Sequence, residues 1–209
     1  VLAKEFSTDA DIVVPVPDSG VPAALGFSEE SKIPFELAII RNHYVGRTFI
    51  QPTPSTRHST VKMKHNPNKS SVVGKKIILI DDSIVRGTTS VKIVQLMRDA
   101  GAKEVHLRIA CPPIMFPDFY GIDTPETEQL LAANHSLDDM CSFIGADSLG
   151  FLSLDGLYKA MGFPNGRNNE NPQFTDHCFT GEYPTDLKDY NDQNLQEQLS
   201  LLSDNEETS

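Results

Sequence analysis

The stretch that decides the fold is Lys76-Ile77-Ile78-Leu79-Ile80-Asp81-Asp82-Ser83-Ile84-Val85-Arg86-Gly87-Thr88-Thr89-Ser90. Its apolar run ends at two adjacent carboxylates, and a loop of Gly, Thr and Ser then opens a helical pattern. This order predicts a buried strand, a loop and a helix, as in a parallel α/β sheet. Ligands bind such sheets outside the carboxyl ends of the strands, where Asp81 and Asp82 would lie side by side.

The two carboxylates indicate what that ligand is. Two such groups are costly together unless a cation or a set of hydroxyl donors faces them, and a divalent metal or a sugar provides these. The loop at residues 83–90 offers hydroxyls and backbone N–H groups at a helix N-terminus, which favour a phosphate. The combination predicts a phosphorylated sugar carrying Mg²⁺. From spacing alone, a solvated strand end with a helix cap behind it fits equally well.

A second strand, loop and helix precede this one. Residues 11–17 are β-rich, Asp18-Ser19-Gly20 follow, and residues 21–31 have helical spacing. Pro15 and Pro17 exclude an ordinary central strand beyond residue 14. The loop presents N–H groups that can receive an anion, and a purely structural turn is the alternative.

A long polar segment separates the two units. Residues 34–40 are predicted to form a strand, after which no helix or strand pattern persists as far as residue 68. Basic residues at positions 57, 62, 64 and 69 give this segment local positive charge. Loops of this length are usually functional, often lids, and the charge suits closure over a polyphosphate. An ordinary solvated loop is the alternative.

The rest of the chain continues the α/β pattern. Helices are predicted at residues 90–100, 126–133, 137–144 and 154–161, and extended segments at 105–110 and 147–154. The alternating polarity of residues 105–110 predicts a position near the sheet edge or one polar face. His106 is interpreted as a strand histidine satisfied by a partner rather than a catalytic base.

Composition narrows the function classes. The 209 residues are 39% hydrophobic and 22% charged, as in a globular protein with one sizeable core. The net charge of −11 disfavours nucleic acid as a partner, and residues 166–209 contribute −8 of it. No apolar run suits a membrane span and no signal peptide opens the chain, so we expect a cytoplasmic protein. Three widely spaced cysteines argue against a disulfide framework or a zinc site.

Four segments carry a resemblance to a known family. Residues 76–90 resemble the signature of type I phosphoribosyltransferases, which bind 5-phosphoribosyl-1-diphosphate (PRPP). Residues 41–50, Arg-Asn-His-Tyr-Val-Gly-Arg-Thr-Phe-Ile, resemble the flexible-loop fingerprint of the glutamine PRPP amidotransferases, and residues 14–20 and 119–123 agree with it. The resemblance implies a type I phosphoribosyltransferase fold of the α/β class, a mainly parallel sheet flanked by helices, with a long flexible loop over the site.

The same resemblance implies an activity and a set of site residues. The reaction is that of an amidophosphoribosyltransferase, which forms 5-phosphoribosylamine from PRPP and ammonia, releases pyrophosphate and begins purine synthesis. Asp81, Asp82, Arg47 and Lys64 are the implied catalytic residues, and Ser19, Asp81 and Asp82 the implied Mg²⁺ site. The implied substrate-binding residues are Pro17, Asp18, Ser19, Gly20, Tyr44, Ser83, Val85, Arg86, Gly87, Thr88, Thr89 and Ser90.

Domains and partners follow from the resemblance as well. We expect a phosphoribosyltransferase domain at residues 1–165, truncated at its start, and a partly ordered acidic extension at 166–209. The implied partners are PRPP, ammonia, a glutaminase domain of a longer chain, purine nucleotides as feedback ligands and further copies of the chain, with neither nucleic acid nor membrane.

An iron–sulfur cluster is not expected. Some members of the family hold one through cysteines, two of them in Cys-x-x-Cys before Phe-Thr-Gly. Here that segment reads Thr-Asp-His-Cys-Phe-Thr-Gly, ending at Gly181, and Asp118 occupies another ligand position. One remaining cysteine cannot hold a cluster.

Two other interpretations stay open, and a third is disfavoured. A base-salvage phosphoribosyltransferase would share residues 76–90 but not the 41–50 fingerprint. A catalytically incomplete fragment would bind PRPP or nucleotides without turnover. A PRPP-binding regulator would need a DNA-binding domain, and no sufficiently basic segment is present.

Overall fold

The computed structural model describes residues 1–42 and 65–187. A short 3₁₀ helix, Thr127–Gln129, accompanies the elements named here. In chain order these are α1 (Leu2–Glu5), β1 (Ile12–Pro15), α2 (Val21–Ser31), β2 (Ile39–Arg41), β3 (His65–Pro67), α3 (Lys69–Val72), β4 (Lys76–Asp81), α4 (Thr88–Asp99), β5 (Glu104–Ile109), α5 (Leu131–Asn134), α6 (Leu137–Ile144), β6 (Ser148–Phe151), α7 (Leu154–Ala160) and α8 (His177–Thr180).

Four of the strands form a parallel sheet in the order β1-β4-β5-β6. Leu79 of β4 lies opposite Val14 of β1 and Leu107 of β5, and Leu107 lies opposite Leu149 of β6. Strands β2 and β3 pair with each other in antiparallel orientation as a separate ribbon. The predicted α/β class with a mainly parallel sheet is therefore confirmed.

Helices cover both faces of the sheet, which explains why β4 is apolar on both sides. Ile77 and Leu79 belong to a buried cluster with α4 and α6, whereas Ile78 and Ile80 belong to a second cluster with α1 and α2. All four isoleucine and leucine side chains are inaccessible to solvent. The strand is thus fixed at the centre of the molecule, and its carboxyl end carries Asp81.

Of the two alternatives predicted for residues 105–110, the edge position is wrong, because β5 lies between β4 and β6. The other, one polar face, agrees with the structure, because His106 and Arg108 are alternate residues of the strand. Its polar side chains are buried with partners instead. His106 bonds the Ser148 hydroxyl at 2.9 Å, which confirms the partnered strand histidine. Arg108 donates to the Thr8 hydroxyl at 2.5 Å and lies 5.6 Å from the centre of the Phe6 ring.

The region before residue 76 also differs from the prediction. A strand forms only at Ile39–Arg41, while Phe35 makes a single parallel bridge to Val13. His65–Pro67 is a strand where none was predicted, and it pairs with Ile39–Arg41. Three-residue strands carry too few positions to show a period, so sequence reasoning missed this ribbon. The remainder of the predicted loop, residues 43–64, lies outside the described residues.

The predicted helices are confirmed with small shifts of their ends. Helix α4 begins two residues before the predicted start, and α6 has the predicted bounds. The predicted helix at 126–133 is divided into the 3₁₀ turn and α5. In the part of the chain that the structure describes, no helix has the length and apolarity needed to cross a membrane.

Candidate functional site

A cavity of about 440 Å³ opens at the carboxyl end of the sheet. It is bounded by the end of β1, the β2–β3 ribbon, the loop between β4 and α4, and one segment after β5. Most of the residues predicted for the site line it, namely Pro17, Ser19, Asp81, Asp82, Ser83, Val85, Arg86, Gly87, Thr88, Thr89 and Ser90.

The remaining predicted residues lie elsewhere. Asp18 is not in the lining but accepts a hydrogen bond from the Arg41 guanidinium at 2.6 Å, next to a cis peptide at Pro17–Asp18. Gly20 caps α2, and a Cβ there would lie 2.4 Å from the carbonyl oxygen of Ile80. That contact makes glycine necessary for α2 to approach the end of β4. Tyr44, Arg47 and Lys64 lie outside the described residues.

Several lining residues were missed by the prediction of site residues. They are Val16, Arg41, His65, Ile84, Asp123 and Pro125. Arg41 and Asp123 fall within the segments that carry the family resemblance, so that resemblance could have found them. His65 had no signal, because it enters the site through the unpredicted strand β3.

The Asp81–Asp82 pair has no internal counter-charge in the described ranges. Asp81 ends β4 and is 6% exposed, and its Oδ1 accepts the Asp82 N–H at 2.9 Å. Asp82 is exposed and accepts the Ser83 N–H at 2.8 Å. No salt bridge reaches either carboxylate from residues 1–42 or 65–187. Burial, and next the charge of Asp82, raise the pKa of Asp81 to about 7.

The loop after the carboxylates leads into an uncapped helix. Gly87, at the N-cap of α4, has a φ of 74° and no side chain to accept from the first N–H groups. A Cβ at Gly87 would lie 2.6 Å from Leu131 of α5, so the loop is packed from behind. The Leu131 N–H also donates to the Val85 carbonyl at 2.8 Å. Free N–H groups beside the hydroxyls of Thr88 and Thr89 form a site suited to an anion.

Comparison with known proteins agrees with this geometry. Residues 2–113 match the phosphoribosyl transferase domain. The chain belongs to the phosphoribosyltransferase family. Residues 76–90, which form β4, the loop and the start of α4, carried the sequence-based resemblance to this family, and that resemblance is confirmed.

Relatives of this phosphoribosyltransferase are named amidophosphoribosyltransferases. The Rhizobium etli protein is 60% identical over 98% of this chain, and the Bacillus subtilis protein 49% identical over 89%. A solved structure of the B. subtilis glutamine PRPP amidotransferase, complexed with ADP and GMP, superposes with a TM-score of 0.78 over 89% of this chain. The chain spans about 40% of each of these proteins.

A second group of possible metal ligands lies away from the cavity. Ligand atoms of Asp118, His177 and Cys178 lie within 4.8 Å of one another. The group offers one thiol, and the chain's other two cysteines, Cys111 and Cys141, are also free. Iron–sulfur clusters require four ligands, mostly thiolates, so this group does not fit a cluster. Asp118 already accepts from His177 Nε2 at 2.7 Å.

Proposed function

We propose that this phosphoribosyltransferase transfers the phosphoribosyl group of PRPP to ammonia, giving 5-phosphoribosylamine and pyrophosphate. The observation that carries the proposal is one cavity holding an uncompensated carboxylate pair beside the uncapped N-terminus of α4. The pair suits ribose hydroxyls and a cation, and the helix suits a phosphate. Amidophosphoribosyltransferase is also the name of relatives that align with almost the whole chain.

The residues of the cavity fit a magnesium ion. The pKa of Asp81 is raised because burial and the negative charge of Asp82 both disfavour its ionised form. A divalent cation between the two carboxylates would stabilise that form. Asp81, Asp82 and the Ser19 hydroxyl would supply the oxygen ligands that Mg²⁺ prefers. When bound, the ion would neutralise charge on the departing pyrophosphate.

The reaction is a displacement at C1 of the ribose. The nitrogen of ammonia forms a bond to C1, the C1–O bond breaks with its electron pair leaving on pyrophosphate, and the nitrogen loses a proton to solvent. Positive charge grows on the ribose, and Asp81 and Asp82 would stabilise it while holding the ribose hydroxyls. Residues 83–90 and the α4 N-terminus would bind the 5′-phosphate.

No cysteine nucleophile is needed for this displacement. Cys111 lies near the carboxylates, and burial, then the charges of Asp82 and Asp81, raise its pKa to about 12. Its thiol is therefore neutral at physiological pH and unsuited to attack. Arg47 and Lys64 are proposed to close over the pyrophosphate and exclude water, which would otherwise hydrolyse PRPP.

Purine nucleotides are the proposed feedback ligands. The supporting observation is that the B. subtilis relative was solved with ADP and GMP. We also propose that the protein works without an iron–sulfur cluster, since the Asp118 group supplies one thiol. A glutaminase partner, a homo-oligomeric state and a cytoplasmic location stay predictions from the sequence.

The test is pyrophosphate release from PRPP by this chain, with Mg²⁺, at mildly alkaline pH. Parallel reactions contain ammonium, adenine, guanine and hypoxanthine, or no acceptor. Ammonium-dependent release that yields phosphoribosylamine is the expected result. Release that depends on a purine base instead would favour the salvage alternative. A folded chain that binds PRPP but releases nothing would contradict catalysis by these residues.

A further inference from the structure

One wall of the cavity comes from outside the matched family domain. Asp123 and Pro125 line the cavity, whereas the match to the phosphoribosyl transferase domain ends at residue 113. The wall belongs to residues 118–125, which contain no helix or strand. Such a segment keeps a defined position only when side-chain contacts hold it.

Asp118 organises this wall from its own side chain. Its Oδ2 accepts the N–H groups of Tyr120 at 2.9 Å and Ile122 at 2.7 Å. Its backbone N–H donates to the Thr124 hydroxyl at 2.6 Å. These three bonds close a turn that ends one residue after Asp123. Only 3% of the Asp118 side chain is exposed, although the residues that donate to it, Tyr120 and Ile122, lie at the surface.

The other carboxylate oxygen of Asp118 ties the wall to α8. His177 Nε2 lies 2.7 Å from Asp118 Oδ1, and the His177 side chain is 7% exposed. The Tyr120 ring meets the His177 ring edge-on at 5.1 Å between centroids. The Cys178 carbonyl accepts the N–H groups of Met115 at 2.9 Å and Phe116 at 3.1 Å. Residues on both sides of Asp118 are thereby fastened to one short helix.

Helix α8 is itself anchored to the body of the domain. Asp176, directly before it, accepts from the Tyr158 hydroxyl at 2.7 Å and from Arg167 Nε at 2.6 Å. Tyr158 is 1% exposed and belongs to α7, which follows β6. Asp176 and His177 are neighbours in the chain, so the Tyr158–Asp176 bond on one side and the His177–Asp118 bond on the other connect α7 to the 118–125 wall.

We propose that Asp118 and His177 form a positioning pair for the phosphoribosyl site, holding the 118–125 turn so that Asp123 faces the bound substrate. The inference rests on the proposed function. Neither residue touches the cavity, so both act through Asp123. The competing interpretation is that Asp118, His177 and Cys178 bind a metal such as zinc. Against it, His177 Nε2 lies 2.7 Å from Asp118 Oδ1, so these two atoms are hydrogen-bonded directly to each other.

The test compares two alanine variants with two conservative variants. Asp118→Ala and His177→Ala remove the contact. Asp118→Asn keeps an oxygen for both N–H groups and an amide for a neutral imidazole, and His177→Gln keeps a donor for Asp118. We expect the alanine variants to raise the KM for PRPP about tenfold or more, with a smaller change in kcat. The conservative variants should recover most of the loss.

A raised KM with a smaller change in kcat distinguishes a positioning role from a loss of stability. A variant that only unfolds some molecules lowers the active fraction, and thus apparent kcat, while the remaining molecules keep the parent KM. Hydrogen exchange at the Tyr120 and Ile122 amides reports the turn without any turnover. Their exchange should accelerate in Asp118→Ala and return toward the parent rate in Asp118→Asn.

Asp147 offers a matched control at the opposite end of the sheet. It accepts the Val105 N–H at 2.6 Å and pairs with Arg98 at 2.8 Å, before β6 begins. Asp147→Ala should leave the KM for PRPP unchanged. Folded alanine variants of Asp118 and His177 with the parent KM would overturn the proposal. So would one bound zinc per chain whose removal reproduces the alanine phenotype.

Failure of the proposed function gives a different result. If the parent chain releases no pyrophosphate, that function is contradicted, and the affinity for Mg²⁺–PRPP by calorimetry replaces KM. Weaker binding in the alanine variants alone would then support the positioning pair. Equal affinities, or no PRPP binding by the parent, would overturn it.

Discussion

Two aspartates of this protein are equally buried and behave oppositely. Asp81 and Asp176 are each 6% exposed. Burial would raise the pKa of Asp176, but hydrogen bonds from Arg167 and Tyr158 hold that pKa below its ordinary value. At Asp81, burial and a second carboxylate raise the pKa to about 7. The difference lies in whether the chain supplies the counter-charge.

This comparison separates a structural carboxylate from one that we propose to bind a ligand. A structural carboxylate such as Asp176 finds its cation and donors within the fold, and removing either partner leaves a buried charge. Asp81, which we propose to bind the ligand, has only a like charge and one N–H beside it in the described residues. Its partners are therefore expected from a ligand, and the same substitution should weaken binding without destabilising the fold.

Replacement of the structural carboxylate should have the largest effect on stability. Asp176→Asn leaves the Arg167 guanidinium, 5% exposed, without its buried counter-charge. We expect a loss of about 3 kcal/mol in the free energy of unfolding, at the lower end for a broken buried pair because Glu182 remains. Urea denaturation followed by circular dichroism measures it. A loss below 1 kcal/mol, which is typical of surface pairs, would contradict the assignment.

Replacement of the carboxylates proposed to bind the ligand should instead lower activity sharply. Asp81→Asn and Asp82→Asn each remove a charge at which the cation and the ribose are proposed to bind. We expect kcat/KM for pyrophosphate release to fall about 100-fold or more, with an unchanged far-ultraviolet spectrum. Asp147→Asn, at the other end of the sheet, serves as the control. Parent-like turnover by both variants would show that the carboxylate pair is only structural.

Without metal, Asp81→Asn should stabilise the protein at neutral pH. The folded-state pKa of Asp81 lies above the ordinary value, so its favourable contribution is present below pH of about 4 and is lost as the pH rises through 7. Asparagine keeps the oxygen that accepts the Asp82 N–H and carries no charge. We expect a gain of about 1–3 kcal/mol at pH 8 in a chelating buffer.

The pH dependence provides the internal control for that gain. Near pH 4 the Asp81 carboxyl is protonated, so the variant and the parent should be equally stable. Addition of Mg²⁺ should stabilise the parent more than the variant. Denaturant curves at both pH values measure the difference. A variant less stable than the parent at pH 8 without metal would mean that a partner already neutralises Asp81.

The segment that contains Asp81 could be predicted from the sequence, because its residues follow one another in the chain. The apolar run, the carboxylate pair and the Gly87 loop are contiguous, so spacing and turn chemistry were enough to predict the strand, the loop and α4. The same contiguity explains why loop residues 83 and 85–90, which line the cavity, could be predicted as a group.

The contacts that hold the structural carboxylates could not be predicted, because the two residues of each contact are far apart in the chain. Asp118 and His177 are 59 residues apart, and Tyr158 and Asp176 are 18 apart. Neither spacing has a period that sequence analysis can detect. Strand β5 shows the same limit: its polar residues suggested an edge or one polar face, and sequence could not show that His106 and Arg108 bond Ser148 and Thr8 inside the molecule.

The smallest effect on stability is expected for an ion pair whose carboxylate is exposed to water. The Arg167 guanidinium also bonds Glu182, whose side chain is 59% exposed. Glu182→Gln should cost less than about 1 kcal/mol, because water screens the pair and replaces the lost partner. Asp176 and Glu182 contact the same guanidinium. A difference between the losses of stability in Glu182→Gln and Asp176→Asn therefore reports the effect of burial and not of the partner. Equal losses in urea denaturation would mean that charge alone, rather than its exclusion from water, makes a carboxylate structural here.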